Sequence, residues 1–198
     1  MILSDDYIEI ENFLPLEQQE HLIKELTHPG FPWGLTLNSV YGSGGVIDND
    51  AAVGFYHTFM FEGQQRSPEL HLVDWVMNGF EEKIYNRIRI KDMDRIRGGL
   101  FLRHPSTIPH PPHVDNESPH WTAVYYVNDC DGDFILYNET YPEFKNEFRK
   151  DNSQFTIKRR AKPAQGKLIA FNGKYFHSSS FPNNKAFRLA LTFNFHTY

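Results

Sequence analysis

The sequence predicts a mostly β fold with flanking α structure, an antiparallel barrel or jelly roll braced by two N-terminal helices. Three observations carry this. The hydrophobic period switches to two from about residue 95 onward. Helix-period patterns are few, and aromatic residues reach 15% of the chain.

The elements follow in order. "YIEIENF" (7–13) alternates apolar and polar side chains and reads as a short strand. Pro15 opens "PLEQQEHLIKEL", where Leu16, Leu22, Ile23 and Leu26 form the apolar stripe of a helix. "THPGFPWG" (27–34) breaks it, and the glycine-rich residues 36–54 read as a long surface loop, a candidate lid. A second helix is expected over 67–87, with Leu70, Val73, Met77, Phe80 and Ile84 facing the core. Six strands then follow at 95–103, 120–128, 133–138, 155–160, 166–172 and 187–195, separated by Pro, Gly, Asn and Asp clusters. Residues 141–152 look like an insertion holding a helical turn or two. No repeat or low-complexity stretch interrupts this order.

Length and composition suit a single domain over 1–198, with 1–94 as helical support and lid and 95–198 as the β core. A net charge of −5 and a pI near 6.0 give no overall basic character for nucleic acid or an anionic membrane. The halves differ: residues 1–100 carry 8 Lys/Arg against 16 Asp/Glu, and residues 101–198 carry 12 against 9. The mildly basic second half suits a small acidic ligand, or none. A single cysteine, Cys130, excludes an intramolecular disulfide and fits a reducing compartment. No basic-then-apolar leader and no membrane-length apolar run is visible, so a cytoplasmic location is expected. "KRRAK" (158–162) mimics a nucleic-acid patch, but it lacks interleaved aromatics and reads as a solvated strand end.

The chemistry concentrates in "HPPHVDNESPHW" (110–121). In a strand, residues i and i+2 share a face, so His113 and Asp115 would project an imidazole and a carboxylate side by side. His177, just after the apolar "KLIAF", is positioned to supply a third group. Two histidines and one carboxylate on one face of an ion leave open positions, the arrangement of non-haem iron oxygenases. In "FRLALTFNF", residues 187, 189, 191, 193 and 195 form an apolar face, while Arg188, Ala190, Thr192 and Asn194 form the other. That second face faces either solvent or a ligand cavity, and an arginine there would grip a carboxylate. His110 and His120 read as surface residues, His104 as the better candidate to line a pocket, and Cys130 as a turn residue without a role.

"HVD … YYVND … DGDFILYNE … GKLIAFNGKYFH … FRLALTFNF" resembles the 2-oxoglutarate/Fe(II)-dependent oxygenases, in the prolyl 4-hydroxylase-like branch. The pattern covers residues 95–196, and "IENFLPLEQQEHLIKEL" resembles the strand-helix entry of that branch. The resemblance implies a double-stranded β-helix (jelly roll, cupin-like) with His113, Asp115 and His177 binding iron. It implies that Arg188 pairs with the distal carboxylate of 2-oxoglutarate and that Tyr126 helps hold it; Thr192 and Asn194, on the Arg188 face of their strand, are possible pocket-lining residues by parity. Strand parity agrees in placing Thr122, Val124 and Tyr126 on one face. The sequence departs from the pattern at Arg103 or His104, where relatives carry a tyrosine, at the Asp-Gly before the third strand, and at Phe134, where relatives often use Thr.

The implied activity is hydroxylation of a C–H bond, a peptidyl prolyl residue first by analogy, with O2 as cosubstrate and release of succinate and CO2. The substrate is a peptide or small molecule, and residues 36–58 and 98–110 are expected to select it. Two other readings remain: a cupin-like metalloenzyme without 2-oxoglutarate, for which Arg188 has no use, and a non-catalytic jelly-roll binding module.

Overall fold

The computed structural model describes residues 1–36, 53–106, 109–144 and 152–198. In chain order the elements are β1 (Ile2–Ser4), β2 (Tyr7–Ile10), α1 (Leu16–Leu26), β3 (Gly34–Thr36), β4 (Gly54–Phe61) and β5 (Gln64–Gln65). A 3-10 turn over Pro68–Val73 leads into α2 (Asp74–Lys83). Then come β6 (Ile90–Leu102), β7 (Trp121–Tyr126), β8 (Phe134–Thr140), β9 (Ile157–Ala161), β10 (Leu168–Asn172), β11 (Tyr175–Ser179) and β12 (Phe187–Thr197).

The strands form two antiparallel sheets. The larger has the order β1-β2-β10-β7-β12-β6-β4-β3, with β5 added beside β4. The smaller is β11-β8-β9. This is the expected jelly roll, and its two sheets meet over the apolar cluster of Tyr126, Phe134, Leu136, Ile169 and Phe171. The opposite face of the larger sheet is covered by the helices. There Leu189, Leu191, Phe193 and Phe195 of β12 pack with Leu22 and Leu26 of α1 and Val76 and Phe80 of α2. The period-two pattern of β12 therefore separates a helix-covered core from the space between the sheets.

The structure corrects several details. Leu16 of the expected α1 stripe is exposed, and Gln19 is buried instead, its amide nitrogen donating to the Leu14 carbonyl at 2.7 Å. The second helix opens with the 3-10 turn, whose Ser67 hydroxyl accepts from the Glu69 amide at 3.0 Å. β4 replaces the end of the expected loop and pairs with β6. Residues 37–52 of the lid expected over 36–54, and residues 145–151 of the insertion expected over 141–152, lie outside the described residues. The basic run lies on β9 and is partnered: Lys158 and Arg159 stand over the rings of Tyr175 and Tyr7, and Arg160 pairs with Asp133 at 3.1 Å. Among the described residues no helix is long and apolar enough to cross a membrane.

Helix α2 sits close to the chain entering α1. A Cβ on Gly79 would lie 2.7 Å from the Phe13 ring, which is itself fully buried and packed against Phe80. Gly79→Ala is therefore expected to destabilise by about 1–2 kcal/mol, overpacking outweighing the gain in helix propensity. A urea midpoint at or above wild type would disprove this close contact.

Candidate metal centre

The site lies in a cavity between the sheets. β12 and its neighbours place side chains there by register. Asn194 stands between Thr122 of β7 and Arg95 of β6, and Thr192 stands between Val124 and Arg97. Ala190 stands between Tyr126 and Gly99, and Arg188 beside Phe101.

His113 and Asp115 come from an irregular segment, not the expected strand. Pro111 and Pro112 have no N–H to give to a ladder. Only an isolated bridge forms, the His113 amide donating to the His177 carbonyl at 3.0 Å and the His177 amide returning the bond at 2.9 Å. His177 lies inside β11, opposite Leu136 of β8. The bridge still brings the three side chains together, with one ligand atom of each of His113, Asp115 and His177 within 4.8 Å of the others.

Asp115 is held from three adjacent strands. Asn194 donates its amide to Oδ2 at 2.9 Å, and Thr122 donates its hydroxyl to the same oxygen at 3.3 Å. The Arg95 Nη2 lies 2.9 Å from Oδ1, a charge contact whose angle falls outside hydrogen-bond geometry. Arg95 is itself oriented by its Nε donating to the Asn194 Oδ1 at 2.8 Å. Sequence reading missed Arg95, since a strand-alternating arginine looks the same on a solvent face as on a cavity face.

The protonation states suit a cation. Burial pushes the Asp115 carboxyl up, but Arg95, the two histidines and the Asn194 amide outweigh it and hold the group well below the usual carboxylate range. Burial pulls His113 down, and burial with the neighbouring His113 pulls His177 down to about 3. Neutral rings keep a lone pair for a metal, and an ionised carboxylate supplies the balancing charge. The His113 Nδ1 lies 3.1 Å from the Pro111 carbonyl. With Nδ1–H as donor there, the lone pair would lie on Nε2.

Arg188 lines the same cavity. Its Nη1 donates to the Ser180 carbonyl at 2.7 Å, and its guanidinium carbon stands 4.7 Å from the Phe101 ring centroid. Tyr126 also lines the cavity; burial pushes its phenol up, Arg188 opposing, so it stays a protonated donor. Thr192 lines the cavity as well, whereas Asn194 serves the Asp115 carboxylate.

Three histidine expectations are overturned. His104 is exposed and does not line the cavity; it packs on Phe181 at 4.8 Å between ring centroids. His110 lines the cavity instead, buried between Phe101 and Phe181. His120 is also buried, against Gly173. Packing against Phe101 and Phe181, and against Gly173, shields His110 and His120 from solvent, while His104 stays exposed, so polarity alone misplaced all three.

The metal-free protein is expected to lose stability as pH falls below about 6.5. His110, His113 and His177 are pulled down in the folded state, so the unfolded chain binds protons first. The slope reaches about 1.4 kcal/mol per pH unit for each such histidine and continues for His177 to about pH 3. Asp115, depressed when folded, adds a loss below its unfolded value. Urea unfolding of metal-stripped protein at pH 7 and pH 5 measures this; identical midpoints would place these rings in solvent.

No family model and no curated protein sequence matches the chain. Solved structures do. A prolyl hydroxylase from Trichoplax adhaerens, in complex with a hypoxia inducible factor peptide fragment, has a TM-score of 0.63 at 15% identity, covering 97% of this chain and 84% of that one. A Pseudomonas putida prolyl-4-hydroxylase has a TM-score of 0.58 at 17% identity, covering 96% and 92%. The α-ketoglutarate-dependent epimerase SnoN of nogalamycin biosynthesis has a TM-score of 0.65 at 15% identity, covering 96% and 78%. The fold is thus the double-stranded β-helix of the 2-oxoglutarate/Fe(II) oxygenases, prolyl hydroxylases included.

Proposed function

We propose that the chain is an Fe(II)- and 2-oxoglutarate-dependent dioxygenase that hydroxylates a substrate C–H bond. The observation that carries this is the placing of the His113, Asp115 and His177 cluster and the Arg188 guanidinium in one cavity. The first is a donor set for iron, and the second is a cation for a dicarboxylate's far end. A fold shared with prolyl hydroxylases and an epimerase does not choose the reaction, so the proposal rests on these side chains.

His113, Asp115 and His177 would hold Fe(II), and Arg188 with Tyr126 would hold the distal carboxylate of 2-oxoglutarate. The iron and its cosubstrate supply the oxidising chemistry with O2, releasing succinate and CO2. The protein's own part is orientation and dryness. Asn194, Thr122 and Arg95 fix the carboxylate's rotamer. Val124, Phe134 and Ala190 give the cavity apolar walls that limit water. The Phe134 ring faces His177 with centroids 6.3 Å apart and planes inclined by 29°.

The test is succinate formation from 2-oxoglutarate under air, with Fe(II) added to metal-stripped protein. Iron-dependent succinate is the expected result. Iron binding without any 2-oxoglutarate binding or consumption would move the protein to a cupin-like metalloenzyme that uses another cosubstrate. Proline-containing peptides and free metabolites are then screened for stimulated turnover, peptidyl proline first.

A further inference from the structure

The cavity holds a second arginine that this chemistry leaves unused. Arg97 projects from β6 into the space that the triad lines. On β12 it faces Thr192, while Arg188 lies four residues earlier, about 13 Å away along the strand. The charges they act on differ as well. Arg97 bears on Asp115 and His113. Arg188 bears on Tyr126 and His110. Arg97 therefore belongs to the triad's end of the cavity.

Its neighbour Arg95 is committed to Asp115 and Asn194. Arg97 has no such engagement. Its guanidinium carbon lies 4.2 Å from the Tyr56 ring centroid, and among the described residues no carboxylate or carbonyl accepts from its nitrogens. Stacking occupies the guanidinium's face and fixes its plane, leaving the edge with its fork of N–H donors. A cation half out of water without an acceptor is costly unless a ligand completes it.

We propose that Arg97 receives a carboxylate at the metal end of the cavity, separate from the subsite of Arg188. The proposal rests on the oxygenase reading above. Two sources share this chemistry: the iron-side carboxylate of 2-oxoglutarate, or a carboxylate on the primary substrate.

Calorimetric titration of Zn(II)-loaded protein separates them without turnover. In one arm 2-oxoglutarate is titrated into wild type and Arg97→Gln. In the other, N-acetylglycine and its neutral analogue N-acetylglycinamide are titrated into each protein saturated with 2-oxoglutarate. A loss of about ten-fold or more in 2-oxoglutarate affinity in Arg97→Gln names the cosubstrate as the source. Unchanged 2-oxoglutarate affinity, with a wild-type preference of about ten-fold for the acid that Arg97→Gln abolishes, names the substrate. No effect on 2-oxoglutarate together with no acid preference, or a preference that survives the substitution, overturns the proposal. Arg97→Lys, which keeps the charge and loses the fork, carries the same comparison if the glutamine variant melts early. Wild type that fails to bind 2-oxoglutarate sinks the oxygenase reading, while the acid-amide pair on metal-loaded protein still decides Arg97.

Discussion

Asp115→Ala should lose Fe(II) binding and turnover together. The three metal-ligand candidates contribute one atom each, and Asp115 is the only anion among them. Losing a supporting residue around such a centre costs about 10–100-fold in metal affinity, and losing the charged ligand should cost more. A second effect travels with it. Arg95 faces Asp115 at 2.9 Å with little exposure on either side chain, so the alanine leaves a guanidinium without its counterion. Metal-free Asp115→Ala should therefore melt below metal-free wild type. Equilibrium dialysis of Fe(II), succinate formation and a thermal melt report the three quantities separately. Wild-type activity in this variant would show that the ligand assignment is wrong.

Arg188→Ala should separate cosubstrate from metal. A charge-assisted contact contributes about 1.5–3 kcal/mol, so 2-oxoglutarate affinity should fall by about 10–100-fold while Fe(II) binding is retained. The side chain also supplies a donor to the Ser180 carbonyl and covers the Phe101 ring, so some stability goes with it. Arg188→Lys is the companion: it restores the charge and leaves a single ammonium where the fork stood. Calorimetric titration of 2-oxoglutarate into each Zn(II)-loaded protein gives the affinities. Unchanged 2-oxoglutarate binding in Arg188→Ala would remove the anchor from this arginine.

The parts of the fold legible in the sequence are those where one face is wet or differently packed. β12 shows its two faces plainly because Leu189, Leu191, Phe193 and Phe195 alternate with polar or small residues. β4 was hidden because "GFYHTFMF" is aromatic on both sides, and His57 is buried with a ring nitrogen 2.8 Å from the Ser67 hydroxyl. β11 was hidden by its serines, of which Ser178 is buried and meets the Tyr137 hydroxyl at 2.9 Å. Motif spacing identified His113, Asp115 and His177 as candidates, and the structure brings them together. Arg95 and Arg97 escaped notice because alternation tells that a residue leaves the core, but not whether it enters solvent or a cavity.

The two sheets meet differently around the triad. Asp115 is moored to β7, β12 and β6, the middle of the large sheet. His113 and His177 are joined to each other by a lone backbone bridge on the small sheet's side. An ion bound by all three would act as a rivet between layers that also meet through apolar side chains, the Arg188–Ser180 bond and the stacking of Arg159 on Tyr7. Amide hydrogen exchange should register this unevenly: metal removal should speed exchange at His113, His177 and along β11, and leave β7 and β12 nearly as slow as before. The metal would then tune the opening of the cavity as well as the chemistry inside it.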